Sequence, residues 1–551
     1  MRWFAALASL GLSTCVHRVS EVDAPRTVVL VAKAIRTMDP RRPVAQALAM
    51  RDGRIIAVGS RAEVLAQAGE GALVEEYPSS TIVPGLVDAH GHLAALGDAL
   101  ATVSLASATT EEDAVSLLSR AETMGGWLVG AGWDQNRWET KALPRRESLD
   151  GAFPATPVLL HRVDGHALWV NSEALRRAGI TAETADPAGG RILRDAAGAP
   201  TGVLVDNAMA LVASRVPAVS PEERRRRLSR AIETCARLGL TGVHDAGLDL
   251  ETLRVLQEWD MKSLLPIRVY AMAQGQGPEA EELLGMGPFR GSRVELRAVK
   301  FLLDGALGSR GAALLAPYSD EPSQSGLLVL EAAAFEARAR RFAQAGFQVA
   351  VHAIGDRANA LALDVLTRLS TERPGSRNRV EHAQVLKLDD VPRFAAAGII
   401  ASFQPTHATS DMPWAQARLG AERVRGAYAW RAVLDTGARV AFGSDFPVED
   451  PNPLWGLYAA RTRMDRSGQP PSGWTPEQRV TGEEALAGFT TGAAWASFAE
   501  EHAGQLIAGF DADFVVLPVD PVTDDPRSLL EARVELTVVG GVDVYRADRP
   551  R

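Results

Sequence analysis

Cysteine is scarce in this chain, which has only Cys15 and Cys235 among 551 residues. Two cysteines cannot form a disulfide framework, so a small scaffold held together by disulfides is excluded. Positive charge is not in excess either, because the formal net charge is -9 and the isoelectric point lies near 5.7. We therefore expect no nucleic-acid partner.

The N-terminus lacks an apolar run long enough to cross a bilayer, since residues 3–12 are too few. This run follows Met1-Arg2 and precedes Ser13-Thr14-Cys15, an order that resembles a bacterial lipoprotein signal. We expect residues 1–20 to be signal and linker, with a lipid on Cys15 as the only membrane contact. The protein would then lie in the cell envelope, on the periplasmic side. The alternative is a cytoplasmic protein with a hydrophobic N-terminus.

The four consecutive arginines at 224–227 have a structural explanation. They follow Ser220-Pro221-Glu222-Glu223, in which a serine cap, a proline at the first helical position and acidic residues in the first turn predict a helix start. Apolar residues then recur at helical spacing, so the arginines occupy a solvated helix face. The hydrophobic content of 46% is ample for a large core.

One apolar strand ends in two histidines. Residues 83–92 read VPGLVDAHGH and close on His90 and His92. Side chains at positions i and i+2 of a strand point to the same side, so both imidazoles can reach one point. That arrangement indicates a metal ion, although two histidines at a strand end are also ordinary polar residues at the start of a loop.

Four further β-type segments end on side chains of comparable chemistry. They are residues 294–300, 347–352, 379–382 and 440–445, which close on Lys300, His352, His382 and Asp445. Segments of helical composition separate them, and alternating strands and helices predict a parallel sheet. In a (β/α)8 TIM-like barrel every strand ends at one face, so distant residues converge there.

The histidines and Asp445 form a nitrogen and oxygen ligand set typical of Zn²⁺ or a similar divalent ion. Taken singly, each of the downstream histidines is better explained as a polar residue with its hydrogen bonds satisfied. Five strand ends with the same character favour the metal site.

Two regions lie outside a barrel, which needs about 250 residues. Short strands are predicted before it, around an Asp52-Gly53 turn, and again after residue 510. An insertion is predicted after the first barrel strand, at about 93–240. Because loops at that face set specificity, Trp133 and Trp138 within it are candidates for a substrate pocket. The alternative is that they pack the insertion against the barrel.

In these residues the chain resembles the amidohydrolase superfamily, and within it amidohydrolase family 3, which includes N-substituted formamide deformylase-like proteins. The resemblance covers about residues 26–548. Besides the metal set it rests on residues 162–171 (RVDGHALWVN), 304–310 (DGALGSR), 402–407 (SFQPTH) and 443–447 (GSDFP). It implies a small β-sandwich formed by residues 26–84 and 496–548, and a hydrolase barrel over residues 85–495.

The resemblance also implies a metal centre that holds one or two ions per chain. Its ligands would be His90, His92, Lys300, His352, His382 and Asp445. A lysine cation cannot bind a metal, so Lys300 would be N-carboxylated and bridge two ions. The alternative is an ordinary Lys300 that pairs with Asp304 or Asp445.

The chemistry expected from the resemblance is hydrolysis of a C–N bond in a small molecule, such as an amide, formamide or N-acyl compound. Bound Zn²⁺ lowers the pKa of its water and polarises a carbonyl, and Asp445 would be the general base. The alternatives are a metal-assisted isomerase, lyase, or ester or lactone hydrolase on the same site, or a non-catalytic anchored binding protein. A homodimer is an open alternative to a monomer.

Four residues are predicted to contact substrate. The resemblance places His166 where it polarises the scissile carbonyl, although a turn-stabilising role explains it equally well. His407 follows the predicted seventh strand and is expected at the pocket. Asp304 is assigned to substrate binding by its motif, and Trp133 by its place in the insertion.

Overall fold

A computed structural model describes residues 27–548 except 120, 122 and 218. The predicted signal segment and Cys15 lie outside these residues. Within the described chain, no helix combines the length and the apolar character needed to span a membrane.

The strands, in chain order, are β1 (Val28–Arg36), β2 (Val44–Arg51), β3 (Arg54–Gly59), β4 (Leu73–Pro84), β5 (Leu86–Gly91), β6 (Val103–Ser104), β7 (Leu128–Trp133), β8 (Val158–Arg162), β9 (Ala167–Val170), β10 (Gly190–Arg194), β11 (Pro200–Asp206), β12 (Leu240–Leu248), β13 (Arg268–Gln274), β14 (Phe289–Arg290), β15 (Val294–Leu302), β16 (Gln348–Ala353), β17 (Arg379–His382), β18 (Ile400–Phe403), β19 (Val440–Phe442), β20 (Phe514–Leu517), β21 (Leu536–Val539) and β22 (Val542–Arg546).

The α-helices are α1 (Arg61–Ala68), α2 (Leu93–Ala99), α3 (Glu111–Leu118), α4 (Arg146–Ala152), α5 (Ser172–Ala178), α6 (Ala210–Ala213), α7 (Pro221–Arg237), α8 (Leu250–Met261), α9 (Ala280–Met286), α10 (Ala332–Gln344), α11 (Asp356–Glu372), α12 (Val391–Ala397), α13 (Pro405–Arg423), α14 (Trp430–Asp435), α15 (Pro453–Thr462), α16 (Gly482–Phe489), α17 (Thr491–Ala496) and α18 (Ser528–Glu531).

Eight parallel strands form the barrel, in the order β5, β12, β13, β15, β16, β17, β18 and β19. Backbone hydrogen bonds link the two ends of this sheet, from Asp445 to the carbonyl of His90 and from His92 to the carbonyl of Phe446. The predicted (β/α)8 fold is therefore confirmed. Helices between the strands cover the outside, and the apolar core lies between helices and barrel wall.

The terminal segments join in a single seven-stranded sheet with the order β22, β21, β20, β4, β1, β2, β3. Successive residues of a strand face opposite sides, and here both faces are covered. One face forms a core that includes Leu30, Phe514 and Leu536. On the other face, helix α1 packs against β1 to β3, whereas Val515 and Leu517 of β20 join the barrel core.

The insertion between β5 and β12 contains its own six-stranded sheet, in the order β10, β11, β9, β8, β7, β6. Helices α3 and α4 contribute to the core on one face, and α5 and α6 to the core on the other. Both faces of β8 are consequently buried. Helix α7 then leads back to the barrel, and the predicted cap is present because the Ser220 side chain accepts a hydrogen bond from the backbone of Glu223.

Candidate metal centre

The C-terminal ends of the barrel strands bring the predicted ligands together. His90 lies in β5, Lys300 in β15, His352 in β16 and His382 at the end of β17, while Asp445 follows β19 by three residues. The His382 ring lies 4.5 Å from that of His352 and 4.7 Å from that of His90, centroid to centroid. All these side chains are at least nine-tenths buried.

Asp88 holds β5, the first barrel strand, against the loop that follows β19, the last one. Its carboxylate accepts hydrogen bonds from the backbone of His90, at 3.0 Å, and from the backbone and hydroxyl of Ser444, at 3.1 and 2.6 Å. Gly443 makes this junction possible, because a Cβ there would lie 2.5 Å from both Asp88 Oδ1 and the His90 nitrogen. The backbone carrying His90 is thereby held next to the loop that carries Asp445.

Two of the ligand residues have left-handed backbone conformations. His382 has a φ of 71° and Asp445 a φ of 62°, values that are uncommon for residues other than glycine. In β17, Arg379 and Glu381 share one side of the strand, and strict alternation would send His382 the other way. The positive φ breaks this alternation, and the His382 ring lies among the other site histidines. Backbone strain of this kind often occurs at functional sites.

Asp445 lies at the middle of the histidines. Its Oδ1 is 3.0 Å from Nε2 of His92 and 3.4 Å from Nε2 of His90, and its Oδ2 is 3.7 Å from Nε2 of His407. Two groups of side chains can therefore hold an ion, and Asp445 belongs to both. The first is His90, His92 and Asp445, and the second is His382, His407 and Asp445, each with its ligand atoms within 4.8 Å of one another.

The protonation states suit a metal centre. Burial, together with nearby Lys300, lowers the pKa of His90 to about 4. Burial also lowers the pKa of His352 and of His382 well below the ordinary histidine value. Burial alone would raise the pKa of Asp445, but the hydrogen bond from His92 and the charge of His90 hold it well below its usual range. Neutral imidazoles and an ionised carboxylate are the forms that bind metal.

Unpartnered nitrogen atoms support the same conclusion. Nε2 of His90, His352 and His407 are buried and have no hydrogen-bond partner among the described residues. A buried polar atom without a partner is costly. Divalent cations held by the two groups would satisfy the Nε2 atoms of His90 and His407. The residues therefore fit an ion such as Zn²⁺.

Comparison with known proteins identifies the family. The amidohydrolase family matches residues 80–545. The chain belongs to the amidohydrolase family. The Bacillus subtilis (strain 168) protein YtcJ is 34% identical over 511 residues, covering 91% of this chain and 96% of that protein. An N-substituted formamide deformylase from Arthrobacter pascens is 29% identical over 544 residues, covering 94% and 98%.

A solved structure shows the same fold. An uncharacterized metal-dependent hydrolase from Pyrococcus horikoshii OT3 is 28% identical, with a TM-score of 0.74, and the match covers 91% of this chain and 99% of the other. Family and neighbour together make this amidohydrolase-family protein a hydrolase, as the sequence predicts.

Lys300 of this amidohydrolase is 3% exposed. Burial lowers the pKa of its amine below the ordinary value, which favours the neutral form that can react with carbon dioxide. Among the described residues, Lys300 forms no ion pair with Asp304 or Asp445; the carboxylates of these two residues are instead engaged by backbone amides and by histidines, respectively. The alternative of a simple Lys300 ion pair is therefore not observed.

The insertion contributes a hydrogen-bonded pair, His166 and Asp206, to the centre. Nδ1 of His166 lies 2.7 Å from Oδ1 of Asp206, and the His166 ring is 5.3 Å from that of His352. Burial lowers the pKa of His166, but the hydrogen bond to Asp206 outweighs it and raises the pKa to about 9. Glycines at 305 and 311 leave room for the Asp206 carboxylate, since a Cβ at either would lie 2.7 to 2.8 Å from its oxygens.

Asp304 and Trp133, two of the predicted substrate contacts, are both buried. Asp304 is fully buried, and its carboxylate accepts hydrogen bonds from the backbone of Ala313, Ile354 and Gly355 at 2.8 to 3.0 Å. It thus anchors these loops, and its Oδ1 also lies 3.6 Å from Nε2 of His352. Trp133 is also fully buried, packs in the core of the insertion and donates its indole N–H to the Leu160 carbonyl, which favours the packing interpretation over the pocket one.

Glu381 and Gln404 are site residues that the sequence interpretation missed. Glu381 Oε2 lies 2.6 Å from Nδ1 of His90, and Gln404 Oε1 lies 2.8 Å from Nδ1 of His382. Both were visible in the sequence as polar residues in or directly after an apolar barrel strand. Such residues are unusual in a barrel interior, which is filled by branched apolar side chains.

Proposed function

We propose that this protein hydrolyses a C–N bond in a small molecule, an amide, formamide or N-acyl compound, with Asp445 as the general base. The observation that carries the proposal is the position of the Asp445 carboxylate, within 4 Å of both His92 and His407. A base at that place can take a proton from an attacking water beside either of the two ligand groups.

One or two ions would be held by His90, His92, His352, His382 and Asp445, together with Lys300 in its carboxylated form. His407 would complete the group of His382 and Asp445. When bound, a divalent ion such as Zn²⁺ lowers the pKa of water and polarises a carbonyl. Asp445 accepts the proton of the water that attacks the carbonyl carbon, and delivers it to the nitrogen as the C–N bond breaks. A carboxylate with a depressed pKa is ionised at neutral pH and ready to accept that proton.

His166 is proposed to bind the carbonyl oxygen of the substrate. Its Nδ1 hydrogen bond to Asp206 and its raised pKa keep the ring protonated, so Nε2–H is free to donate to the substrate carbonyl oxygen. A donor placed where negative charge develops stabilises the transition state. The printed activity of the Arthrobacter pascens relative favours N-substituted formamides as the first substrates to examine.

The experiment is a substrate panel combined with elemental analysis. Purified protein is assayed on N-substituted formamides, N-acyl amino acids and lactones, beside an Asp445→Asn variant. We expect C–N substrates to be turned over, and Asp445→Asn to reduce turnover by at least about 100-fold while the protein retains metal. Asp450→Asn, an exposed change in the same loop, is the matched control and should leave turnover unchanged.

Two results would overturn the proposal. Turnover of lactones alone would replace the C–N hydrolase by an ester hydrolase on the same site. Full activity of Asp445→Asn would remove the general-base assignment.

A further inference from the structure

Two of the buried histidines of the centre, His90 and His382, have partners of different charge. His90 is held through Nδ1 by the Glu381 carboxylate at 2.6 Å. His382 is held through Nδ1 by the Gln404 amide oxygen at 2.8 Å. In both, the Nδ1–H is the donor, which leaves Nε2 as the atom that binds metal.

Glu381 is fixed as a carboxylate. Arg379 lies beside it, with Nε 2.7 Å from Oε1 and Nη2 3.1 Å from Oε2, and both side chains are fully buried. Arg379 is itself held by the Ala89 carbonyl at 2.8 Å and by the Ser402 hydroxyl at 3.0 Å. Neither the charge nor the position of Glu381 can change without disrupting this network.

Gln404 is oriented by a second contact. Its Nε2 lies 3.4 Å from the Ser402 carbonyl, so Nε2 is the donor end and Oε1 is left to accept from His382. Gln404 is 3% exposed. It therefore offers His382 the same kind of hydrogen bond that Glu381 offers His90, but without a negative charge.

An imidazole hydrogen-bonded to a carboxylate is a stronger metal ligand than one bonded to a neutral amide, because the partner's charge raises the basicity of the ring. Because Arg379 offsets the charge of Glu381 over longer distances, the difference acts mainly through this hydrogen bond to the ring. The two ligand groups around Asp445 consequently differ in electrostatic support.

We propose that the centre binds its metal ions unequally: the group of His90 and His92 binds the first ion tightly, and the group of His382 binds a second ion more weakly. Glu381 and Gln404 are the positioning residues that set this difference. The inference rests on the proposed metal-dependent function and adds the order in which the two ligand groups bind their ions. At limiting metal, the protein then exists as a one-ion form.

The test measures binding without substrate. Metal-free protein is titrated with Zn²⁺ by calorimetry, and the metal retained after dialysis is measured by elemental analysis. We expect two steps whose Kd values differ by at least about 10-fold. Glu381→Gln should weaken the first step about 10 to 100-fold and bring the two steps together.

Gln404→Glu is the reciprocal variant and does not disturb Arg379. It should strengthen the second step about 10 to 100-fold. This variant keeps the proposal testable even if Glu381→Gln, which leaves Arg379 without its charged partner, fails to fold.

Two equal Kd values in the native protein would overturn the inference, as would unchanged Kd values in a folded Gln404→Glu variant. A protein that binds no Zn²⁺ at all would overturn the proposed function as well. Because the titration needs no turnover, a failure to find the substrate leaves the result intact.

Discussion

The Arg379–Glu381 ion pair allows a prediction about stability. Both side chains are fully buried inside the barrel, with Nε and Oε1 at 2.7 Å. Burial alone would raise the pKa of Glu381, but Arg379 holds it far below its usual range. Arg379→Met would keep the bulk of the side chain and leave the carboxylate charged and unpaired. Breaking a buried pair in this way costs about 3–5 kcal/mol.

The cost converts into a modest but measurable change in Tm. An unfolding entropy of about 2.1 cal/mol/K per residue gives roughly 1.2 kcal/mol/K for a chain of this length unfolding cooperatively. The loss is then about 2.5–4 °C, measured by calorimetry on metal-free protein so that no bound cation compensates Glu381. Arg61→Met is the control, since its ion pair with Glu76 is half exposed, and it should leave Tm unchanged.

A double variant separates charge from packing. In Arg379→Met with Glu381→Gln, the amide oxygen still accepts from His90 Nδ1 but no buried charge remains. We expect it to recover at least half of the lost Tm, because replacing a buried pair by neutral groups is often close to neutral. The reasoning would be refuted if the single variant were as stable as the native protein, or if the double variant were no better than the single one.

Two further predictions concern the lysine and the insertion. Lys300→Ala should lower the metal content by elemental analysis from about two ions per chain to one or fewer, and an unchanged content would contradict the carboxylated bridge. Trp133→Ala should destabilise the protein to urea by about 3–5 kcal/mol, because it empties a fully buried site; a raised KM with unchanged stability would instead return Trp133 to the substrate pocket.

The barrel was predictable because its signal is local and repeated. Each barrel strand is a short apolar run, and several end on a ligand-type side chain. Parallel strands in a closed barrel end at one face, so no long-range information was needed to place His90 and Asp445 together. The start of α7 was predictable for the same reason, since the Ser220 cap depends on a neighbour three residues away.

The partners of the ligands were not predictable, because they depend on contacts between distant residues. His90 and Glu381 are separated by 291 positions. Their strands, β5 and β17, are not neighbours in the sheet, so only closure of the barrel brings the two side chains together. The choice between the two roles of Trp133 could not be made from the sequence for a related reason. A tryptophan at the catalytic end of a barrel suggests a pocket, but here the insertion has its own sheet and needs large side chains for its own core.

The proposed metal centre explains the charged pair beneath it, since the fold does not require that pair. Barrel interiors are normally filled by branched apolar residues, and apolar substitutes for a buried ion pair often stabilise a protein. Arg379 and Glu381 nevertheless occupy the interior with no exposure to solvent. What an apolar pair would not provide is an acceptor for Nδ1 of His90, which fixes the ring so that Nε2 lies 3.4 Å from Asp445. Arg379 also ties its strand to two other barrel strands through the Ala89 carbonyl and the Ser402 hydroxyl, but only a positioning role explains why Glu381 faces His90.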